Sequence, residues 1–154
     1  MSGNIKNIIF DVVENCETAQ LATFNFDLFP ETRTVRNLRN FRENPQYEEK
    51  LKPTWDLYFL TNVNTPKYGQ LKKNNRVCAY FFDPNTRKAI RLFGTVTILE
   101  DSATKDYFWN SGWEKFGYMS SNDKNLCILK LLPEFYKYYD SDGKLHYEKI
   151  NIEV

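Results

Sequence analysis

The chain is predicted to be a mainly β (α+β) protein: a closed six-stranded antiparallel barrel with Greek-key elements and a few flanking helices. Three observations lead there. About six segments of strand length, rich in β-branched and aromatic residues, follow one another with turn residues between them. Aromatic side chains make up 16% of the 154 residues, with 12 Phe, 10 Tyr and 3 Trp, which suits a β-rich core or a surface that stacks on flat ligands. Helical spacing is confined to a few short stretches. No repeat or linker interrupts the pattern, so residues 1–154 read as one domain, long enough to bury a core.

In chain order, residues 4–17 place Ile5, Ile8, Ile9, Val12 and Val13 on one helical face, with Ser2 or Asn4 as the cap. "TAQLATFNF" (18–26) reads as a strand and "DLFPE" as a turn. "TRTVRNLRN" (32–40) is a second strand, with Arg33, Val35, Asn37 and Arg39 on one face and Thr34, Arg36, Leu38 and Asn40 on the other. Three arginines exceed what a buried sheet tolerates, so one is expected to face a ligand or partner and the others to be solvated. Residues 42–53 form a charged connection. "TWDLYFLTN" (54–62) is a strong strand, and a short helix begins near Pro66. "NRVCAYFFDP" (75–84) is a strand ending in an Asp-Pro-Asn turn. Gly94 inside the strand 87–100 predicts a bend or bulge. Residues 101–116 read as a helix capped by Asp101 or Ser102. Residues 124–140 form a strand interrupted or kinked at Pro133, and "SDGK" turns into a last strand, "LHYEKI".

Charge and cysteine content exclude several classes. With 21 basic and 20 acidic side chains the net charge is +1, which gives no electrostatic case for nucleic acid. Cys16, Cys78 and Cys127 are odd in number and widely spaced, with no CxxC pair. Cys78 and Cys127, in apolar runs, read as buried free thiols of a reducing cytosol. His146 is the only histidine and reads as a surface residue of a terminal hairpin, so no metal site is expected. No secretory signal or spanning segment is visible, and a cytoplasmic protein without membrane partners is expected.

The stretch "TNVNTPK" carries the chemistry. Thr65 suits an N-cap, and Pro66 sits in the first turn, where its missing donor costs nothing. A helix start exposes free N–H groups and the positive end of the dipole. Lys67 and the threonine hydroxyls would make that start a phosphate site. An ordinary Thr-Pro helix start with a surface lysine fits the same residues.

The segment "DLYFLTNVNTPKYGQLKKNNRVCAYFFDPNTRKAIRLFGTVTILED" resembles the pyridoxamine 5′-phosphate oxidase-like family, the FMN-binding split barrel, and is most similar to its general stress protein branch. A strand ending in Phe-Leu-Thr, a Thr-Pro-Lys turn, a helix running into Arg-Val, an Asp-Pro turn and an Arg-x-x-Gly strand follow the family order from Tyr58 to Glu100. "LATFNFDLFPETRTVRNLRN" is similar to the family's first hairpin and "SSNDKNLCILKLLPEFYKYYD" to its last strand, so the resemblance covers nearly the whole chain.

The resemblance implies FMN as cofactor. Its phosphate would lie on Thr61, Thr65 and Lys67, with Pro66 presetting the turn. The isoalloxazine ring would lie along Val35, Arg36, Asn37 and Leu38, near Phe59 and Leu60. Gln70 and Arg91 would contribute, and Trp109 or Trp113 would shield the flavin edge. An arginine of the second strand at that edge would favour the reduced, anionic flavin. The resemblance also implies a homodimer with flavin at the interface and a small-molecule substrate. Two departures stand out. Where many members carry an Arg-Gln-Val stretch whose glutamine reaches the partner's flavin, this chain has "KAI", with Ala89 in that position. "KLHYEKINIEV" lacks the Arg- and His-rich segment that grips substrate in pyridoxamine phosphate oxidases proper. The expected activity is an FMN-dependent oxidoreductase; no catalytic residue is assigned. A non-enzymatic flavin-binding stress protein, or a split barrel holding haem or a deazaflavin coenzyme, are the alternatives.

Overall fold

In a computed structural model of the chain, residues 2–140 and 142–150 are described, without the side chains of 2–4. Helix α1 (Ser2–Glu14) turns Ile9, Val12 and Val13 into the core, as its spacing predicts. The expected caps, Ser2 and Asn4, have side chains outside the described residues. The strands are β1 (Thr18–Phe24), β2 (Pro30–Asn37), β3 (Leu57–Asn62), β4 (Arg76–Asp83), β5 (Lys88–Leu99), β6 (Leu126–Tyr139) and β7 (Leu145–Lys149). They run in the order β3-β2-β1-β4-β5-β6-β7, all neighbours antiparallel, and β3 also pairs with β6. The first six therefore close into a barrel, which leaves no free edge among them. The β3-to-β4 connection steps past β2 and β1 by way of helix α3 (Pro66–Lys73).

Strand β6 makes the barrel split. Its first half, Leu126–Leu131, pairs with β3, and its second half, from Phe135, pairs with β7. The change falls at Pro133, which has no N–H to give a ladder. The strand runs through Pro133 rather than stopping there, because the register against β5 shifts between Phe93 and Gly94. Gly94 is where the bulge was expected. A Cβ there would lie 2.1 Å from the Leu132 carbonyl oxygen, so only glycine admits this backbone approach. Gly94→Ala should cost roughly 1–3 kcal/mol, read as a lower urea midpoint at unchanged m-value.

Two cores explain why β3 reads as a near-continuous apolar run. Leu57 and Phe59 face the barrel interior with Val35, Phe81, Ile90 and Leu129. Leu60 faces outward yet is buried with Leu38, Tyr47, Phe108, Trp113 and Ile128. The outer layer comes from the connection after β2, which is not a bare charged loop. It holds a 3-10 turn (Pro45–Tyr47) and helix α2 (Glu48–Leu51), whose Tyr47 and Leu51 are buried. The Tyr47 hydroxyl donates to the Phe108 carbonyl.

The expected helix over 101–116 is two elements, α4 (Ser102–Phe108) and a 3-10 turn (Ser111–Phe116). Asp101 caps α4 by accepting from the Thr104 N–H at 3.0 Å. Trp109 and Asn110 are extended, and the Asn110 side chain starts the second element by accepting from the Gly112 N–H. Cys78 is half-exposed rather than buried, because the alternation of β4 puts it on the outer face. Among the described residues, no helix is long and apolar enough to cross a membrane.

The expectation for the arginines needs a correction. Strand β2 ends at Asn37, and Arg39 is fully buried rather than solvated or facing a ligand. Its guanidinium donates to the carbonyls of Leu51 (2.9 Å), Asp56 (2.9 Å) and Lys52 (3.0 Å), lies 3.6 Å from the Glu14 carboxylate and covers the Phe10 ring at 3.8 Å. Five fixed donors let one arginine organise a whole connection. Burial holds its pKa down at about 10 and moves that of Glu14 up.

Candidate functional site

The candidate site lies where β3 ends and α3 begins. Thr65 is extended and Pro66 occupies the first turn, as the sequence implied. The Thr65 hydroxyl, however, does not cap the helix: it donates to the Asn62 carbonyl at 2.8 Å. The start of α3 is therefore left without a side-chain cap.

Lys67 is no surface lysine. It is 6% exposed. Its ammonium donates to the Thr61 hydroxyl and, at 3.0 Å, to the Thr65 hydroxyl. Among the described residues no carboxylate lies within 4.0 Å of it. Burial pushes its pKa down, opposed by the Cys127 side chain and helped by Arg33. Thr61 faces Cys127 across the β3–β6 ladder, and burial pushes that thiol up to about 12.

One turn on, Gln70 is 3% exposed and fully engaged. Its Oε1 accepts from Thr23 Oγ1 (2.6 Å) and Arg33 Nη2 (3.1 Å), and its Nε2 donates to Glu31 (2.8 Å). It acts as a strut between α3 and the β1–β2 hairpin. Burial lowers the pKa of Arg33, and Glu31 opposes this.

The remaining candidate residues fall into two groups. Arg36 pairs with Leu60, and Asn37 with Phe59, across β2 and β3, so both strands run directly to Thr61. The side chains of Val35 and Phe59 are in the barrel core and those of Leu38 and Leu60 in the outer core. Asn37 donates to the Val13 and Cys16 carbonyls, both at 2.9 Å. These residues have only backbone to offer a ligand. Arg36 is half-exposed, pairs with Glu43 at 3.2 Å and covers the Phe116 ring at 4.9 Å. Arg91 sits on β5 beside the Tyr139 ring, and Trp109 packs edge-on against Trp113. Neither hydrogen-bonds to the Lys67 cluster.

The sequence counted Arg33 among three arginines of which one would face a ligand or partner, without singling it out, and gave Lys105 no role. The signal for Arg33 was its strand alternation with Val35, which keeps it on the barrel-facing side. Lys105 is buried and donates to the Asp123 carbonyl at 2.7 Å, fastening the loop before β6; nothing in a helix of mixed polarity marked it. His146 meets Asp140 at 3.0 Å on β7 and stacks on Tyr138.

Over residues 33–152 the chain matches the family described as pyridoxamine 5′-phosphate oxidase like. A pyridoxine/pyridoxamine 5′-phosphate oxidase of Christiangramia forsetii is 30% identical over 108 residues, which cover 70% of this chain and 42% of the relative. The chain thus spans less than half that relative's length. Among solved structures, a protein of Clostridium acetobutylicum related to general stress protein 26 is 27% identical, with 95% of this chain and 93% of that one covered and a TM-score of 0.76. Two others speak for the fold alone. A pyridoxamine 5′-phosphate oxidase-related, FMN-binding protein of Nostoc punctiforme is 18% identical (97% and 96% covered, TM-score 0.65). A haem-binding protein of Mycobacterium smegmatis is 10% identical (92% and 56% covered, TM-score 0.65).

Proposed function

The chain belongs to the pyridoxamine 5′-phosphate oxidase-like family, and on that premise we propose that it is an FMN-binding oxidoreductase acting on a small molecule. The observation that carries this reading is Lys67, a buried ammonium held by two hydroxyls and by no carboxylate among the described residues. A buried cation normally has a counter-ion, and without one its burial is costly. A phosphate dianion is the counter-ion that suits it. The uncapped start of α3 offers N–H groups to the same anion, and the Thr61 and Thr65 hydroxyls can turn to donate. Arg33, close enough to depress Lys67, supplies a second positive charge.

The flat ring would lie along β2, against the backbone of Val35–Leu38, where amide groups orient it without using side chains committed to the cores. When bound, FMN supplies reversible two-electron chemistry, taking a hydride from a nicotinamide or small organic donor and passing the electrons to an acceptor. The protein's part is to bind the phosphate, orient the ring and shield one face from water. The haem alternative gains nothing from His146, which is engaged with Asp140 and Tyr138. Anaerobic NADH or NADPH should bleach the flavin bands of the FMN-loaded protein. FMN bound tightly but reduced by no donor would instead indicate a flavin carrier.

Lys67 also predicts a pH dependence. Its pKa in the free protein is depressed, and a bound phosphate raises it. The complex therefore holds a proton that the free protein releases as pH rises. Above the free-protein pKa, FMN affinity should fall by up to about tenfold per pH unit relative to riboflavin, which lacks the phosphate. The ratio of the two dissociation constants across the alkaline range checks this; a constant ratio contradicts it.

A further inference from the structure

A cavity of about 310 Å³ lies in the outer layer, between α2, α4 and the β3–β6 ladder. Strand register builds its floor. Tyr58 of β3 stands directly opposite Lys130 of β6, and cross-strand neighbours share one face of a sheet. The Phe108 ring of α4 lies 4.7 Å from the Tyr58 ring, tilted by 39°. Tyr107 is set edge-on to Phe108 at 4.9 Å. Lys50, from α2, carries its ammonium 4.2 Å over the Tyr107 ring. Neither the Lys67 cluster nor Val35–Leu38 contributes to the wall.

That wall is one-sided in its chemistry. Lys50 and Lys130 both line it, and among the described residues no carboxylate does. Among those residues, the Lys50 ammonium and the Tyr58 and Tyr107 hydroxyls also have no hydrogen-bond partner. Burial, with Asp56 and Tyr107 nearby, holds the Tyr58 phenol up at about 12. It therefore keeps its proton at neutral pH and can donate. Thr104 is already committed, its hydroxyl donating to Asp101 at 2.8 Å. Donors and cations without acceptors, set among aromatic faces, suit an anion that carries a ring.

Charge and size narrow the anion. Asp56 lies 3.7 Å from Lys130 and offsets one of the two cations. One positive charge is left for a ligand to balance. A carboxylate meets that condition, whereas a phosphate dianion would leave a charge uncompensated beside half-buried rings. The volume stands at the lower end of the range for ligand pockets, about 300–1,000 Å³, so the ring system is small.

We propose that this cavity binds an aromatic monocarboxylate, with its ring against Tyr58 and Phe108 and its carboxylate between Lys50 and Lys130. The ligand bridges α2 and α4 and so stabilises the outer layer. The site stands on its own geometry and does not draw on the FMN reading.

Isothermal titration of the purified full chain with benzoate, beside thermal unfolding, tests it. Benzoate should bind one per chain and raise the Tm. Benzamide, which lacks the charge, and acetate, which lacks the ring, should each bind at least about tenfold more weakly. Lys50 and Tyr107 are exposed, so Lys50→Gln and Tyr107→Leu should keep the circular dichroism spectrum. Each should weaken benzoate by about tenfold and leave FMN affinity unchanged. Asp56→Asn removes the charge that offsets Lys130. It should shift preference toward phenyl phosphate over benzoate by about tenfold, a gain that a damaged fold would not produce. Lys67→Met should bind benzoate as wild type does, so loss of FMN binding leaves this proposal standing. Absence of saturable benzoate binding, equal binding of benzamide, or an Asp56→Asn variant with the wild-type preference overturns it. Benzoate binding lost in Lys67→Met but kept in Lys50→Gln would place the probe at the Lys67 cluster and also overturns it.

Discussion

Lys67→Met weakens FMN binding by about 2–3 kcal/mol, roughly 30- to 150-fold, the usual worth of a hydrogen bond to a charged partner. Methionine keeps the length and apolar stem of lysine, so packing beneath α3 is retained. Riboflavin affinity should not change, because riboflavin brings no phosphate to this position. The apo protein should not lose stability either, and this separates a ligand-binding lysine from a structural one. Lys67 is buried with its pKa depressed, so its charge opposes folding at neutral pH rather than helping it. The sign follows from linkage: the unfolded chain binds the proton more readily, and wild-type stability rises with pH as Lys67 deprotonates. The variant should lack that rise. Isothermal titration with FMN and riboflavin, beside urea unfolding of both apo proteins at neutral and alkaline pH, reads all of these effects.

Arg39→Met has the largest expected effect on stability, about 3–5 kcal/mol, as for a buried charge pair that loses one member. Three carbonyls, of Leu51, Lys52 and Asp56, lose their donor at once, and the half-buried Glu14 carboxylate loses the guanidinium 3.6 Å from it. Arg39→Lys should not rescue it, since one ammonium cannot span carbonyls that a planar fork reaches together. The loss should appear as a fall in urea midpoint. The surviving folded fraction should keep its FMN affinity, because Arg39 lies under the connection that carries α2 and touches nothing at Thr61, Thr65 or Lys67.

These two residues show how much of the molecule was legible in its sequence. The barrel was readable because alternation, turn residues and Gly94 are local signals, and each strand falls within a few residues of its expected bounds. The cluster of Thr61, Thr65, Pro66 and Lys67 was readable for the same reason: the four lie within seven residues of one another, and a Thr-Pro helix start fixes their relation. The burial of Lys67 was not readable. It depends on β3 meeting β6 through Cys127, a contact between segments more than sixty residues apart. Arg39 failed for a related reason. It looked like the last charge of an alternating strand, but β2 stops two residues earlier, where the Asn37 side chain turns inward to hold α1. The break at Trp109–Asn110 was hidden because a cap at Asn110 resembles a polar helix position until its bond to Gly112 is seen. The hold of Gln70 on the hairpin was not readable either, because it is set by Thr23 and Glu31 on strands distant in sequence.

The central claim is that a phosphate-bearing flavin supplies the counter-ion Lys67 otherwise lacks. Titration of the purified wild-type protein with FMN and, separately, with riboflavin, followed by quenching of flavin fluorescence, tests it most directly. FMN should bind one per chain and at least about tenfold more tightly than riboflavin, the contribution of charge-assisted bonds to its phosphate. Equal affinity for the two, or no quenching of FMN at all, would contradict it.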